Sequence, residues 1–173
     1  MNKNTLIVYG TKHGSVENCA SILAKKLGGK VEIKNLKQGI EFDLSKYDRV
    51  IIGGSIYMGR IQKQVTQFCL KNIDSLKEKK IGVFICCMNK NNEEKQLMAS
   101  FPNELLNIAV AKDCFGGEYR VKKMSFFEKF ITKAVTKKLS KDDKSSSALD
   151  LKEDVTTISE NSIDSFVRLI ENS

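Results

Sequence analysis

Between Gly10 and Val16 the chain reads GTKHGSV, residues whose chemistry is that of a cradle for an anion. Thr11 and Ser15 carry hydroxyls, Lys12 a charge, and Gly14 the freedom to turn, so successive backbone N–H groups can point to one spot. Onward from Ser15 the spacing predicts a helix with Val16, Ala20, Leu23, Ala24 and Leu27 on one face. Its free N–H groups and positive dipole end would aim at the same place, and a phosphate monoester suits such a turn. The same residues also serve as a plain helix start, with Ser15 as cap and Gly14 as turn. No Gly-Lys-Thr/Ser opens the helix and G-x-G-x-x-G is absent, which disfavours nucleoside triphosphates and NAD as the main ligand.

A second turn, GGSIYMG from Gly53 to Gly59, shifts the balance toward a ligand. Gly54 and its neighbour let a flat molecule approach the backbone, Tyr57 offers a ring to stack on, and Gly59 permits a left-handed turn. Ser55, Ile56 and Met58 complete this loop. A third turn holds Cys87, Met88 and Asn89. A phosphate site at one strand end and a flat-ring site at another describe a mononucleotide with a large ring, and FMN fits better than ATP.

These turns need strands and helices to hold them. Thr5 to Tyr9 is a short apolar run, KVEIKN alternates like a strand with one polar face, and YDRVIIGGS is nearly continuous. IQKQVTQFCLKNI sets Ile61, Val65, Phe68, Cys69 and Ile73 at helical spacing. KKIGVFICCMN has no polar alternation and reads as a central parallel strand buried on both faces. A helical stretch from Glu93 to Leu106, a fifth strand in NIAVAKDCFGG and a closing helix from Ser159 to Ile170 complete a β-α order repeated five times. The expected fold is α/β, a doubly wound five-stranded parallel sheet of order 2-1-3-4-5 with helices on both faces. In such sheets ligands bind beyond the carboxyl ends of the strands, where all three turns lie.

At 173 residues with 41% hydrophobic content and one proline, the chain is sized for one domain, residues 1–173. Five cysteines, Cys19, Cys69, Cys86, Cys87 and Cys114, are odd in number and sit in apolar contexts, so reduced, mostly buried thiols are expected. Adjacent Cys86 and Cys87 point to opposite faces of a strand and cannot act as a C-x-x-C pair. His13 is the single histidine, which rules out a histidine triad or a multi-histidine metal centre; no metal site is expected, and no residue stands out as catalytic. The first apolar run stops far short of a signal-peptide core, and no stretch approaches the roughly 18 apolar residues of a membrane span.

Residues 117–154 form an insertion of different composition before the last helix. From Glu118 to Lys141 there are eight basic residues against two acids, six of the chain's net +8 charges. MSFFEKFITKAVTKKL sets Phe127, Phe130, Ile131 and Ala134 opposite its lysines, and a polar linker, SKDDKSSSALD, follows. A basic amphipathic helix over 120–141 reads either as a peripheral contact with an anionic membrane or as a surface element packed on the core. Without interleaved exposed aromatics or a recognisable motif, no nucleic-acid partner is expected.

With IVYGTKHGSVENCASILA, YDRVIIGGSIYMGRIQKQVTQF and CFGGEYRVKKMSFFEKFITKAV in place, the chain resembles flavodoxin-like FMN proteins from Thr5 to about Ile170. The third segment makes it most similar to the menaquinone-dependent protoporphyrinogen IX dehydrogenase family within that fold. The resemblance lays the phosphate loop Ser-Thr-x-x-Gly-x-Thr on Gly10 to Val16, with Gly10 and Val16 lacking the family's hydroxyls. It implies an FMN-dependent oxidoreductase taking electrons from protoporphyrinogen IX to menaquinone, cytoplasmic and peripheral on the inner face of the cell membrane. The alternative is a flavodoxin-like electron carrier without a substrate of its own. Carriers of this fold tend to be acidic, and a pI near 9.2 speaks for the enzyme.

Overall fold

The computed structural model describes residues 3–119 and 155–173. Five parallel strands form its centre: β1 (Asn4–Gly10), β2 (Lys30–Asn35), β3 (Arg49–Tyr57), β5 (Lys80–Cys86) and β6 (Ala111–Cys114), arranged β2-β1-β3-β5-β6. Numbered among themselves, these five strands run in the expected order 2-1-3-4-5. A short β4 (Arg60–Ile61) pairs antiparallel with the end of β3.

Strand alternation divides the core into two layers. Leu6 and Val8 of β1, Val50 and Ile52 of β3 and Val83 and Ile85 of β5 face one side, where Val65 and Phe68 of α2 (Lys63–Lys71) and Leu97 of α4 (Glu93–Ser100) cover them. Ile7, Ile51 and Phe84 face the other, against Val16, Ala20 and Leu23 of α1 (Ser15–Lys26) and Phe166 and Ile170 of the last helix, α6 (Glu160–Asn172). Phe84 stacks on Phe115 with ring centroids 4.7 Å apart, and Phe166 meets Phe115 edge-on at 5.2 Å. Each such fully buried side chain contributes about 1.5–3 kcal/mol of transfer free energy. Phe84 also explains Gly53, where a Cβ would sit 2.1 Å from the ring.

Four features differ from the sequence reading. Ile61 lies in β4 rather than at the start of a helix, because an apolar residue two positions before the helix sits at the same spacing as one inside it. No α-helix joins β2 to β3 among the described residues; two 3₁₀ turns, Leu36–Gln38 and Leu44–Lys46, start on Asx caps from Asn35 and Asp43 and seat Leu36 and Leu44 in the core. After α2 a separate helix α3 (Ile73–Lys77) begins at Ile73. The helical stretch from Glu93 is two helices, α4 and α5 (Asn103–Ile108), split at Pro102, which fixes the extended cap of the second.

Beyond β6, β7 (Glu118–Tyr119) pairs antiparallel with β8 (Val155–Thr156), so the insertion leaves and rejoins the domain at adjacent points. The basic segment over 120–141, with Phe127, Phe130, Ile131 and Ala134, falls outside the described residues. No helix among the described residues is long and apolar enough to cross a membrane.

Candidate functional site

Parallel pairing sets the carboxyl ends of β1, β3 and β5 side by side: Gly10 is opposite Gly54, and Ser55 opposite Cys86. The three turns singled out in the sequence therefore share one rim of the sheet. In the first, Thr11 Oγ1 accepts the Gly14 N–H at 2.9 Å and closes the loop on itself. Gly14 has φ 96°, a left-handed conformation natural to glycine. Helix α1 starts there without a side-chain cap, unlike α6, where Ser159 Oγ accepts the Ser162 N–H at 3.2 Å. Asn18 N–H returns to Gly14 O at 3.2 Å, and the N–H groups of Ser15, Val16 and Glu17 ahead of it have no place in the helical ladder.

Thr11 and Ser15 are both 6% exposed. The Ser15 hydroxyl makes no hydrogen bond within the protein among the described residues, so Ser15 is not the helix cap that its type allowed. Val16 contributes backbone only, its side chain being fully buried in the core. Gly10 gives the reason for its missing hydroxyl: a Cβ there would lie 2.7 Å from Val65 Cγ2 and 3.2 Å from Gln62 Cβ. Two buried hydroxyls, a helix start with free N–H groups and a lysine are the donor set a phosphate monoester requires, so this end of the site fits one.

The second turn is a two-residue hairpin. Tyr57 pairs with Arg60 across Met58 (φ 50°) and Gly59 (φ 75°), the positive pair of a type I′ turn. Gly59 opens onto empty space, and Met58 is 69% exposed although a left-handed methionine carries backbone strain. Lys12 Nζ stands 3.9 Å from the centroid of the Tyr57 ring, and His13 meets that ring edge-on at 6.0 Å, so the first loop lies against the second. Ser55 donates its N–H and its hydroxyl to Gln62 Oε1, at 3.0 and 2.9 Å, and Ile56 packs against the core. Gly54 is tight for a different reason than ligand access: its Cβ would lie 2.4 Å from Ile61. Packing therefore bears on Gly54 besides the ligand approach expected of it.

In the third turn Cys87 is buried, Met88 and Asn89 are half-buried, and Met88 Sδ accepts a hydrogen bond from Thr157 Oγ1 at 3.3 Å. Asn89 caps a 3₁₀ turn through its side chain. Two residues escaped the sequence reading. Gln62 anchors the hairpin to α2 from just beyond the loop residues singled out in the sequence. Cys114, at the end of β6, meets Cys87 with its sulfur 3.4 Å away. In this pair the hydrogen bond to Cys114 lowers the Cys87 thiol and the same bond, with burial, raises Cys114. Cys86, on the opposite face, is buried against Cys19 at 3.5 Å and pushed up by that contact and by burial. The five cysteines are free, and all but half-buried Cys114 are buried.

Order of strands and placement of the loops together define the class: the family of flavodoxin domains matches residues 6–147, most of the chain, and the protein belongs to it. Among curated relatives, the protoporphyrinogen IX dehydrogenase [quinone] of Escherichia coli (strain K12) is 35% identical over 75 residues, 42% of this chain and 41% of that protein. The chain thus matches about two fifths of the length of its curated relatives. Of solved structures, rubredoxin oxygen:oxidoreductase from Desulfovibrio gigas superposes with a TM-score of 0.53 at 15% identity, over 98% of this chain and 36% of that one. Flavodoxin 1 from Bacillus cereus gives a TM-score of 0.47 at 14% identity, over 69% and 88% of the two chains.

Proposed function

We propose that the protein is an FMN-dependent oxidoreductase in which the rim formed by the three turns holds the cofactor. The observation that carries the reading is the start of α1: an uncapped helix end beside Thr11 and Ser15, at the strand end where this family's fold places its ligand. In this reading Thr11, Ser15 and the N–H groups of Ser15 and Val16 hold the phosphate, with Lys12 and His13 flanking it and Gly14 providing the turn. The hairpin from Gly54 to Gly59, with Ser55, Ile56, Tyr57 and Met58, borders the ring on one side, and Cys87, Met88 and Asn89 on the other. FMN, when bound, supplies the capacity to accept two electrons and pass them on; the protein orients it and sets its surroundings.

For the donor and acceptor, the E. coli relative's name supports a porphyrinogen and a quinone. Charge agrees with that choice: the net charge is +8, six of it between Glu118 and Lys141, and porphyrinogen propionates and the surface of a quinone-bearing membrane are anionic. In this reading the segment 120–141 makes that contact, from the cytoplasmic side.

Titration of apoprotein with FMN tests the cofactor site. Thr11→Ala with Ser15→Ala should weaken binding by roughly 1–3 kcal/mol, the scale of hydrogen bonds to a charged group, with little loss of thermal stability. An unchanged FMN dissociation constant removes the cradle. Anaerobic turnover of protoporphyrinogen IX with a menaquinone analogue tests the reaction. A flavin-loaded protein that turns over no porphyrinogen, yet exchanges electrons with redox proteins, is a carrier.

A further inference from the structure

Cys87 follows the last residue of β5, Glu93 opens α4, and Cys114 ends β6, three elements that the parallel sheet brings to one rim. Their ligand atoms, two sulfurs and a carboxylate oxygen, all lie within 4.8 Å of one another, and the two sulfurs are 3.4 Å apart. Around a tetrahedral zinc ion with Zn–S bonds of about 2.3 Å, two sulfurs stand about 3.7 Å apart. The pair is therefore nearly set to bind one. Cys19 and Cys86 come about as close on the other face but have no third donor among the described residues, and both are sealed in the core. Cys114 and Glu93, in contrast, are half-buried, which gives an ion a path in.

We propose that Cys87, Cys114 and Glu93 form a binding site for a borderline-soft divalent cation, zinc above all. Two thiols lose their protons to solvent, both thiolates and the Glu93 carboxylate bind the ion, and water takes the fourth position. Three negative charges against two positive leave the site at −1. The donor set selects against magnesium and calcium, which require oxygen ligands, and no metal oxidation is involved. Asp113, whose backbone precedes Cys114 and whose carboxylate accepts the Cys114 N–H at 2.7 Å, holds the end of β6 in place. The site does not depend on the flavin reading, although Cys87 also begins the third turn of that rim.

The test uses the full chain as isolated with its flavin, reduced under anaerobic conditions and freed of excess reductant. Zinc uptake is measured by equilibrium dialysis and elemental analysis, and cobalt(II) is used as a spectroscopic substitute. Expected are one zinc per chain and a thiolate-to-cobalt charge-transfer band, both lost in Cys87→Ser and in Cys114→Ser. Glu93→Gln, at a half-buried helix start, should keep the fold and weaken binding by at least about tenfold, because it removes a charged ligand where even outer-shell changes cost about that much. Cys69→Ala, a buried thiol elsewhere, should retain full stoichiometry. Circular dichroism confirms that each variant is folded, and flavin absorbance on the same samples reports the cofactor separately. Zinc binding with normal affinity in both serine variants, or no uptake by the reduced protein, overturns the proposal. So does peptide mass analysis showing that, once air is admitted to the zinc-treated protein, dioxygen oxidises the pair to a Cys87–Cys114 disulfide as readily as without zinc.

Discussion

At the amino end of β3, Arg49 is 2% exposed and its guanidinium donates to both carboxylate oxygens of Glu171, at 2.8 and 3.3 Å; at the carboxyl end of the neighbouring β1, Ser15 is almost as buried and meets no protein partner among the described residues. The rest of each edge follows suit. Gly28 N–H also reaches Glu171, and Asn4 and Asp48 exchange bonds at 2.8 and 2.9 Å. Across the sheet, an uncapped helix end, a strained Met58 and the donors Cys87, Glu93 and Cys114 gather at one rim. The Arg49–Glu171 pair ties the amino edge into the fold. The carboxyl edge, besides its own internal bonds at Thr11 and Ser55, holds an uncapped helix end beside a Ser15 hydroxyl with no partner among the described residues. The same strands thus anchor the structure at one end and present chemistry at the other, which is why ligands of doubly wound sheets bind where they do.

If that division is right, the largest stability effect should come from the amino edge and leave ligand binding alone. Glu171→Ala strands a buried guanidinium and should cost about 3 kcal/mol in urea denaturation, the low end for a broken buried pair because Glu171 is partly solvated. The FMN dissociation constant should stay within twofold of the parent. A large loss of affinity in a folded Glu171→Ala protein would break the comparison. The pair also has a pH signature. Its hydrogen bonds to Arg49, with a smaller contribution from Gly28, hold the Glu171 carboxyl below its ordinary value. A depressed folded-state value stabilises the protein above the unfolded-state pKa, near 4.5, and that stability is lost as pH falls through the folded value. Melting temperature should therefore fall more steeply below pH 4.5 in the parent than in Glu171→Gln.

Gly54 lies on the carboxyl edge yet belongs to the packing. Its Cβ would meet Ile61 at 2.4 Å and Val65 at 3.4 Å, so Gly54→Ala should cost about 1–3 kcal/mol of stability by overpacking. Flavin affinity should drop only as far as the hairpin is displaced. A stable Gly54→Ala protein that no longer binds flavin would restore the view that the glycine exists for the ligand.

Legibility in the sequence follows the range of the interactions involved. Apolar runs marked β1, β3 and β5 and alternation marked β2, because burial on one or both faces is written in the local pattern, while β6 was marked only by the longer stretch NIAVAKDCFGG that contains it. The loop residues Thr11, Gly14, Ser15 and Gly59 were legible for a similar reason: turn chemistry is local. Ile61 was placed in a helix because spacing alone cannot separate a hairpin strand from the first turn of the helix that follows. The link from β2 to β3 carried no periodicity, since its 3₁₀ turns are made by Asn35 and Asp43 capping two residues ahead. Gln62 on Ser55, and Cys114 on Cys87, are contacts between side chains that only strand pairing brings together. Nothing within either segment announces them.

The smallest effect tests whether Met58 belongs to the chemistry of the carboxyl edge. A left-handed methionine costs stability that glycine would not, and the Met58 side chain is too exposed to repay it by burial. Met58→Gly should therefore raise stability by about 0.5–1 kcal/mol, after the greater flexibility of glycine in the unfolded chain offsets part of the gain. The hairpin register from Tyr57 to Arg60 should survive, since a type I′ turn accepts glycine at both central positions. What sharpens the comparison is the flavin titration on the same variant. A protein that becomes more stable while binding FMN more weakly identifies Met58 as a side chain held in strain for the ligand. One that becomes more stable with unchanged affinity returns the hairpin tip to the fold and narrows the ring site to Tyr57, Cys87 and their neighbours.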